Sequence, residues 1–196
     1  ARMTAISTSR GRRAIRTAAT VGAVSLGLVV LSACEKPTPN AHFTLGSSTT
    51  SPEAAGDCYG HGETLGAEQA EQCLTAATDV PVFDYRTGDE FRIGVDPKVA
   101  DSGWLLFVND NPLEYQRFTS TYRTLSGDLL WSLSQNAVQQ SGDGTLRISV
   151  AEVTEDFSLD KLTEIAQTEG QQAVQTALYD SVKGVWNAEL SPADED

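Results

Sequence analysis

Phe91-Arg-Ile-Gly-Val95, Asp96-Pro-Lys-Val-Ala-Asp-Ser-Gly103 and Trp104-Leu-Leu-Phe-Val108 run on without a gap, and their reading decides the fold. In the first, Phe91, Ile93 and Val95 alternate with Arg92 and Gly94, the period of a half-buried strand. The third is apolar at every position, as expected for a short strand covered on both faces. The segment between them is polar and bounded by Pro97 and Gly103, which reads as a loop.

The same grammar repeats on either side. Phe43-Thr-Leu45 and Val80–Tyr85 precede it, with Pro81 confining the latter to an edge or a strand start. Phe118–Leu125 is rich in Thr and Tyr, and Ser126-Gly-Asp128 reads as a turn into a strand over Leu129–Leu133. Leu146, Ile148 and Val150 alternate within Thr145–Val150, and Gly184–Leu190 closes the series. Asn109–Pro112 and Gln139–Gly144 are turns. The period switches over Ser158–Asp180, where Leu159, Leu162, Ala166, Ala173, Ala177 and Leu178 fall at helical spacing. Ser158 is placed to cap that helix, Asp160 suits its first turn, and Gly170 divides it. The pattern predicts a mainly β fold: an immunoglobulin-like antiparallel β-sandwich over 42–190, with a helical insertion at 158–181 before the last strand. The Cys-Trp-Cys order of antibody domains is absent, because Cys58 and Cys73 both precede Trp104.

The 196 residues carry a net charge of −13, are 40% hydrophobic and 21% charged, and fit one globular domain. An acidic chain is a poor match for phosphate backbones, which excludes nucleic acid as a partner. The charge is unevenly spread. Residues 1–33 hold five Arg and no acid, leaving nine basic against 27 acidic residues in the rest, a net of −18.

Met3 reads as the start of a secretory signal: a basic stretch, the apolar run Val21–Leu31, then small residues. The run is short and Gly-rich for a permanent span. It ends in Leu31-Ser32-Ala33-Cys34, which resembles the lipobox of bacterial lipoproteins. That resemblance implies a signal peptide over 1–33, cleavage before Cys34 and a diacylglyceryl group on its sulfur. The acyl chains would then anchor the protein in membrane lipid on the extracytoplasmic face. Arg12-Arg13 weakly resembles a twin-arginine signal, but basic pairs are common in any signal, so the general secretory route is expected. Residues 34–41, with Pro37 and Pro39, read as a stalk, and 191–196 as an acidic tail. Like charges keep a body of −18 away from anionic lipid, so attachment falls to Cys34.

Ile93-Gly-Val-Asp-Pro97, Val99–Asn109, Thr121-Tyr122 and Gly184-Val-Trp186 resemble actinobacterial envelope lipoproteins that carry a domain of unknown function. The resemblance implies an envelope lipoprotein with a β-sandwich, and it brings no catalytic residues with it.

Cys58 and Cys73 lie in an exported chain, where two cysteines pair in the one way open to them. The loop they enclose starts Gly-rich and becomes helical, with Thr64 as cap and Ala67, Ala70 and Leu74 on one face. The alternative is a metal site in which Cys58, His61 and Cys73 are joined by Asp57, Glu63 or His42. Ser158-Leu-Asp-Lys161 matches the S-x-x-K pattern of penicillin-binding enzymes without its partner motifs, so Ser158 reads as a cap. A Ser-His-Asp triad would need His42 or His61 as base, and no Gly-x-Ser-x-Gly elbow occurs. Asp96, Asp101 and Asp110 fall in loops placed to share one end of a sandwich, and Glu152, Glu155 and Asp156 cluster after a strand. Trp104 and Trp186 read as core; Trp131 is the candidate binding residue, and the helical insertion a candidate partner surface. The expectation is a lipid-anchored, non-enzymatic binding domain without a cofactor, facing an envelope protein or glycan. A metal-handling lipoprotein and a small envelope hydrolase, the latter using His61 or an acid pair, are the alternatives.

Overall fold

The computed structural model describes residues 38–193 apart from 77, 87, 142 and 143. The signal, Cys34, the first half of the stalk and the end of the acidic tail lie outside the described residues. Two sheets and five helices make up the described chain. A four-stranded antiparallel sheet contains β1 (Ala41–Leu45), β2 (Ser48–Thr50), β4 (Phe91–Val95) and β7 (Tyr122–Leu125) in the order β2-β1-β4-β7. A five-stranded sheet has the order β3-β9-β8-β5-β6, from β3 (Val82–Tyr85), β5 (Trp104–Val108), β6 (Asn111–Pro112), β8 (Leu146–Val153) and β9 (Val182–Pro192). Its pairs are antiparallel except β3–β9, which is parallel. The helices are α1 (Ala67–Thr75), α2 (Pro97–Ser102), α3 (Gly127–Ser141), α4 (Leu159–Thr168) and α5 (Gln171–Asp180).

The two sheets share one core. Phe43, Phe91, Ile93 and Leu125 from the smaller sheet meet Trp104, Ile148, Val150 and Trp186 from the larger, all of them buried. The opposite face of the larger sheet packs on helices: Leu105, Phe107, Val153 and Val185 contact a second cluster with Leu74 of α1, Leu162 of α4 and Tyr179 of α5. That second cover explains why Trp104–Val108 is apolar throughout, since both its faces are buried. The Cys58–Cys73 disulfide lies in this layer and ties α1 to a segment whose Cys58 carbonyl accepts from Val185 N in β9. Among the described residues, no helix is long and apolar enough to cross a membrane.

The fold is therefore mixed α and β rather than mainly β, and its sheets are not wholly antiparallel. The largest departure is Leu129–Leu133, expected as a strand and found inside α3. Leu129, Leu130 and Leu133 satisfy either period over five residues; the pattern continues to Ser134 and Ala137, so the buried positions follow a helix. Ser126 caps that helix rather than turning a hairpin, its Oγ accepting from Leu129 N at 3.4 Å. Gly127 is required there, because a Cβ would sit 2.6 Å from the Asp89 carbonyl oxygen. The expected loop at 96–103 holds the short helix α2, with Pro97 in its first turn. Helix α1 starts after Gly66, not at a Thr64 cap. Only Tyr122–Leu125 of the expected 118–125 strand is paired in the smaller sheet, and Phe118 bridges instead to Trp104. Asn40 and Ala41, read as stalk, belong to the folded body, and β9 runs past 190 to Pro192. The helical insertion lies where expected, divided at Gly170, with Ser158 Oγ accepting from Lys161 N.

Candidate functional site

The outer face of the smaller sheet is built from the residues that alternate with its core. In β1, Ala41, Phe43 and Leu45 point inward, leaving His42 and Thr44 outward. The two-residue turn Gly46-Ser47 sets the β1–β2 register at Leu45↔Ser48, Thr44↔Thr49 and Phe43↔Thr50. One step further along this ladder brings Ser51 opposite His42. On the other side of β1, His42 pairs with Gly94 and Ala41 with Val95, so Asp96 is diagonal to His42 on the same face.

The ladder thus assembles three polar side chains. His42 Nδ1 lies 2.6 Å from Ser51 Oγ, and His42 Nε2 lies 3.3 Å from Asp96 Oδ1. The other Asp96 oxygen accepts from Asn40 N at 2.9 Å, and Asp96 N donates to the Asn40 carbonyl at 3.1 Å. Asp96 occupies the N-cap position of α2 but makes no side-chain cap bond; its carboxylate is turned to Asn40 and His42 instead. A carboxylate can only accept, so in the neutral imidazole the Nε2 proton points at Asp96 and the Nδ1 lone pair faces the Ser51 hydroxyl. His42 and Asp96 are each about 40% exposed, so the group is open to solvent. The same row continues through Gly94 to Tyr122, which is 71% exposed. Strands spaced about 4.8 Å apart leave a gap of roughly 10 Å between His42 and Tyr122, floored by Gly94.

A second polar cluster closes one end of the inter-sheet core. The β8–β9 register shifts between Glu152 and Val153, and Lys183 is the residue left over. Glu152 is 1% exposed, and its Oε1 lies 3.2 Å from Lys183 Nζ, but neither carboxylate oxygen receives a well-aligned hydrogen bond. Lys183 Nζ also donates to Ser102 Oγ at 3.2 Å. Beside it Lys98 Nζ donates to the Tyr59 hydroxyl at 2.9 Å. That bond, with the nearby Glu152 charge adding to it, holds the Lys98 ammonium above its ordinary pKa.

The residues singled out from sequence are dispersed. Cys58 and Cys73 are joined in the disulfide, so in this oxidised form neither sulfur is a thiolate ligand. His61 is exposed, has a left-handed φ of 53° and packs edge-on against Tyr59, 5.0 Å between ring centres. Among the described residues, no group of three or more His, Cys, Asp and Glu is arranged to hold a metal ion. Asp96 precedes α2 and Asp101 lies in its last turn, both before β5, whereas Asp110 follows β5, so the three do not share an end. Glu152 is buried within β8, apart from the exposed Glu155 and Asp156. Trp104 and Trp186 are core; Trp131 is 42% exposed, on α3 rather than a strand. Ser51 and Tyr122 were not singled out. The signal for Ser51 is the Gly46-Ser47 turn, which fixes its partner once β1 is recognised as extending back to His42. No protein-family model, curated protein or solved structure matches the chain.

Proposed function

We propose that the chain is an extracytoplasmic binding domain anchored in the bacterial cell membrane through an acylated Cys34, related to the actinobacterial envelope lipoproteins it resembles. The observation that carries this reading is the buried Cys58–Cys73 disulfide, a bond that persists in oxidising compartments and is rare in the cytosol. It agrees with the lipobox at residues 31–34. The binding face is the outer surface of the smaller sheet, where the exposed Tyr122 ring on the edge strand β7 shares a face with Thr124 of the same strand and, two and three strands away, with Thr44 and Thr49. An aromatic face among hydroxyls suits stacking and hydrogen bonding to a saccharide, so an envelope glycan is the favoured ligand. The immunoglobulin-like description belongs to this proposal, supported by two sheets facing each other across a shared core.

A photoreactive residue at position 122, crosslinked in intact cells, tests both halves. Adducts to envelope glycan are expected in the membrane fraction, and Cys34→Ala should move the protein out of it. Membrane association that survives Cys34→Ala refutes the anchor. Adducts no more frequent than from a photoreactive residue at exposed Glu169 refute the binding face.

A further inference from the structure

We infer that Ser51 is an activated nucleophile, with His42 as its base and Asp96 as the positioning residue, reactive toward carboxylic esters. The inference is independent of the glycan reading and of Cys34. It rests on how Ser51 and Asp96, each one residue past the end of its strand, are brought to His42 of β1.

Three observations carry it. The Ser51 hydroxyl and His42 Nδ1 are in short hydrogen-bond contact at 2.6 Å, the arrangement in which an imidazole can take the proton of an attacking oxygen. Asp96 forgoes its cap bond to α2 and contacts Nε2, which selects the tautomer that leaves Nδ1 free to accept. The orienter is itself oriented, because Asn40 N donates to its second oxygen. His42 lies within β1, and Ser51 and Asp96 directly follow the last residues of β2 and β4, so each is placed by the paired strand that ends beside it.

The reaction balances with water as the only co-reactant. Ser51 Oγ bonds to the ester carbonyl carbon while its proton passes to His42 Nδ1. As the carbonyl–alkoxy bond breaks, the imidazolium returns that proton to the departing alkoxide, which leaves as the alcohol. Water then attacks the acyl-Ser51 carbonyl, gives a proton to His42, and releases the carboxylic acid as the proton returns to Ser51 Oγ. A groove of about 630 Å³ between the β1–β2 hairpin and β3, lined by Leu45, Thr50, Val82, Phe83, Asp84 and Asp89 among others, stops short of Ser51, so the ester is taken from the open face of the sheet.

The test is covalent labelling of the full-length protein by a fluorophosphonate, in which Ser51 Oγ displaces fluoride from phosphorus. One adduct per chain is expected, mapped to Ser51 by peptide mass spectrometry, absent from Ser51→Ala and from urea-unfolded protein. His42→Ala should slow labelling by about a hundredfold or more, the size of a general-base contribution. Asp96→Asn should slow it at least tenfold with an unchanged melting temperature, which separates positioning from support of the fold. Ser158→Ala, far from the site, should label at the parent rate. An adduct elsewhere, labelling no faster than in urea, or an unchanged rate in a folded His42→Ala protein each overturns the inference.

Discussion

Two of the clusters among the described residues bring the side chains of a serine, a base and a carboxylate together, and they differ in almost every physical respect. Ser51, His42 and Asp96 lie on the open face of the smaller sheet. Ser102, Lys183 and Glu152 lie at the end of the inter-sheet core, with Glu152 1% and Lys183 15% exposed. In the buried set an ammonium is ion-paired with a carboxylate and donates to a hydroxyl, so it cannot take the serine proton while it stays charged. In the exposed set the imidazole donates at one nitrogen and accepts at the other. The same three kinds of group thus serve cohesion in one place and reactivity in the other, decided by which base is present and what it is paired with.

Stability measurements should separate the two sharply. Glu152→Ala removes a buried carboxylate and leaves Lys183 largely buried without its counter-charge, a loss of about 3–5 kcal/mol. His42→Ala, at a half-exposed position, should change stability by no more than about 0.5 kcal/mol. Urea denaturation of both variants checks the contrast, and equal losses would show that the outer group is structural after all. A replacement of Glu152 that is tolerated would relocate the cohesion of that end to Trp104, Trp186 and Tyr59 packing.

The disulfide offers an intermediate effect on a third region. Cys58→Ser with Cys73→Ser opens a loop of 15 residues and should cost about 3 kcal/mol on the chain-entropy account. The loss should fall on the helix-covered face of the larger sheet, where α1 is tethered, and leave the outer face of the smaller sheet in place. Hydrogen exchange checks this: faster exchange in α1 and around Val185, with β1 and β4 unchanged, is the expected pattern. A uniform increase would mean that the crosslink stabilises the whole fold at once.

Much of the scaffold was legible from periodicity. The alternation in Phe91–Val95 and Leu146–Val150, and the continuous run Trp104–Val108, read correctly because burial on one or both faces imposes those patterns. The switch to helical spacing after Ser158 read correctly for the same reason. Helix α3 did not, because Leu129–Leu133 is too short to separate the two periods and Ser126-Gly-Asp128 serves equally as a turn or as a cap and first helical turn. The outer triad was legible only in pieces: His42 could be named as a base, but its partners are nine and 54 residues away. Bringing them together requires the strand register, and register is a property of paired strands rather than of any one. Glu152 misled for the opposite reason. The sequence groups it with Glu155 and Asp156 after a strand, and nothing local announces that β8 runs on through it or that Lys183 will reach it across a β-bulge.

The smallest effect tests the comparison at its exposed limit. Asp156 and Lys161 pair at 2.8 Å at the start of α4, both well exposed. The Lys161 hydrogen bond, and after it one from Thr154, lowers the Asp156 pKa from its ordinary 3.8 to about 2. A carboxyl whose folded pKa is depressed stabilises the fold while it is ionised, so its contribution is present above pH 3.8 and is lost as the pH falls toward 2. Lys161→Met removes the main cause. Its melting temperature should lie slightly below the parent's at pH 5, and the gap should close between pH 3.8 and 2. Salt at 1 M should shrink the gap at pH 5 as well, since exposed charges are screened within about 3 Å. The Glu152–Lys183 pair, enclosed by protein, should resist the same salt. If salt weakens both pairs alike, water reaches the end of the core, and the division between a reactive outer group and a cohesive inner one loses its physical basis.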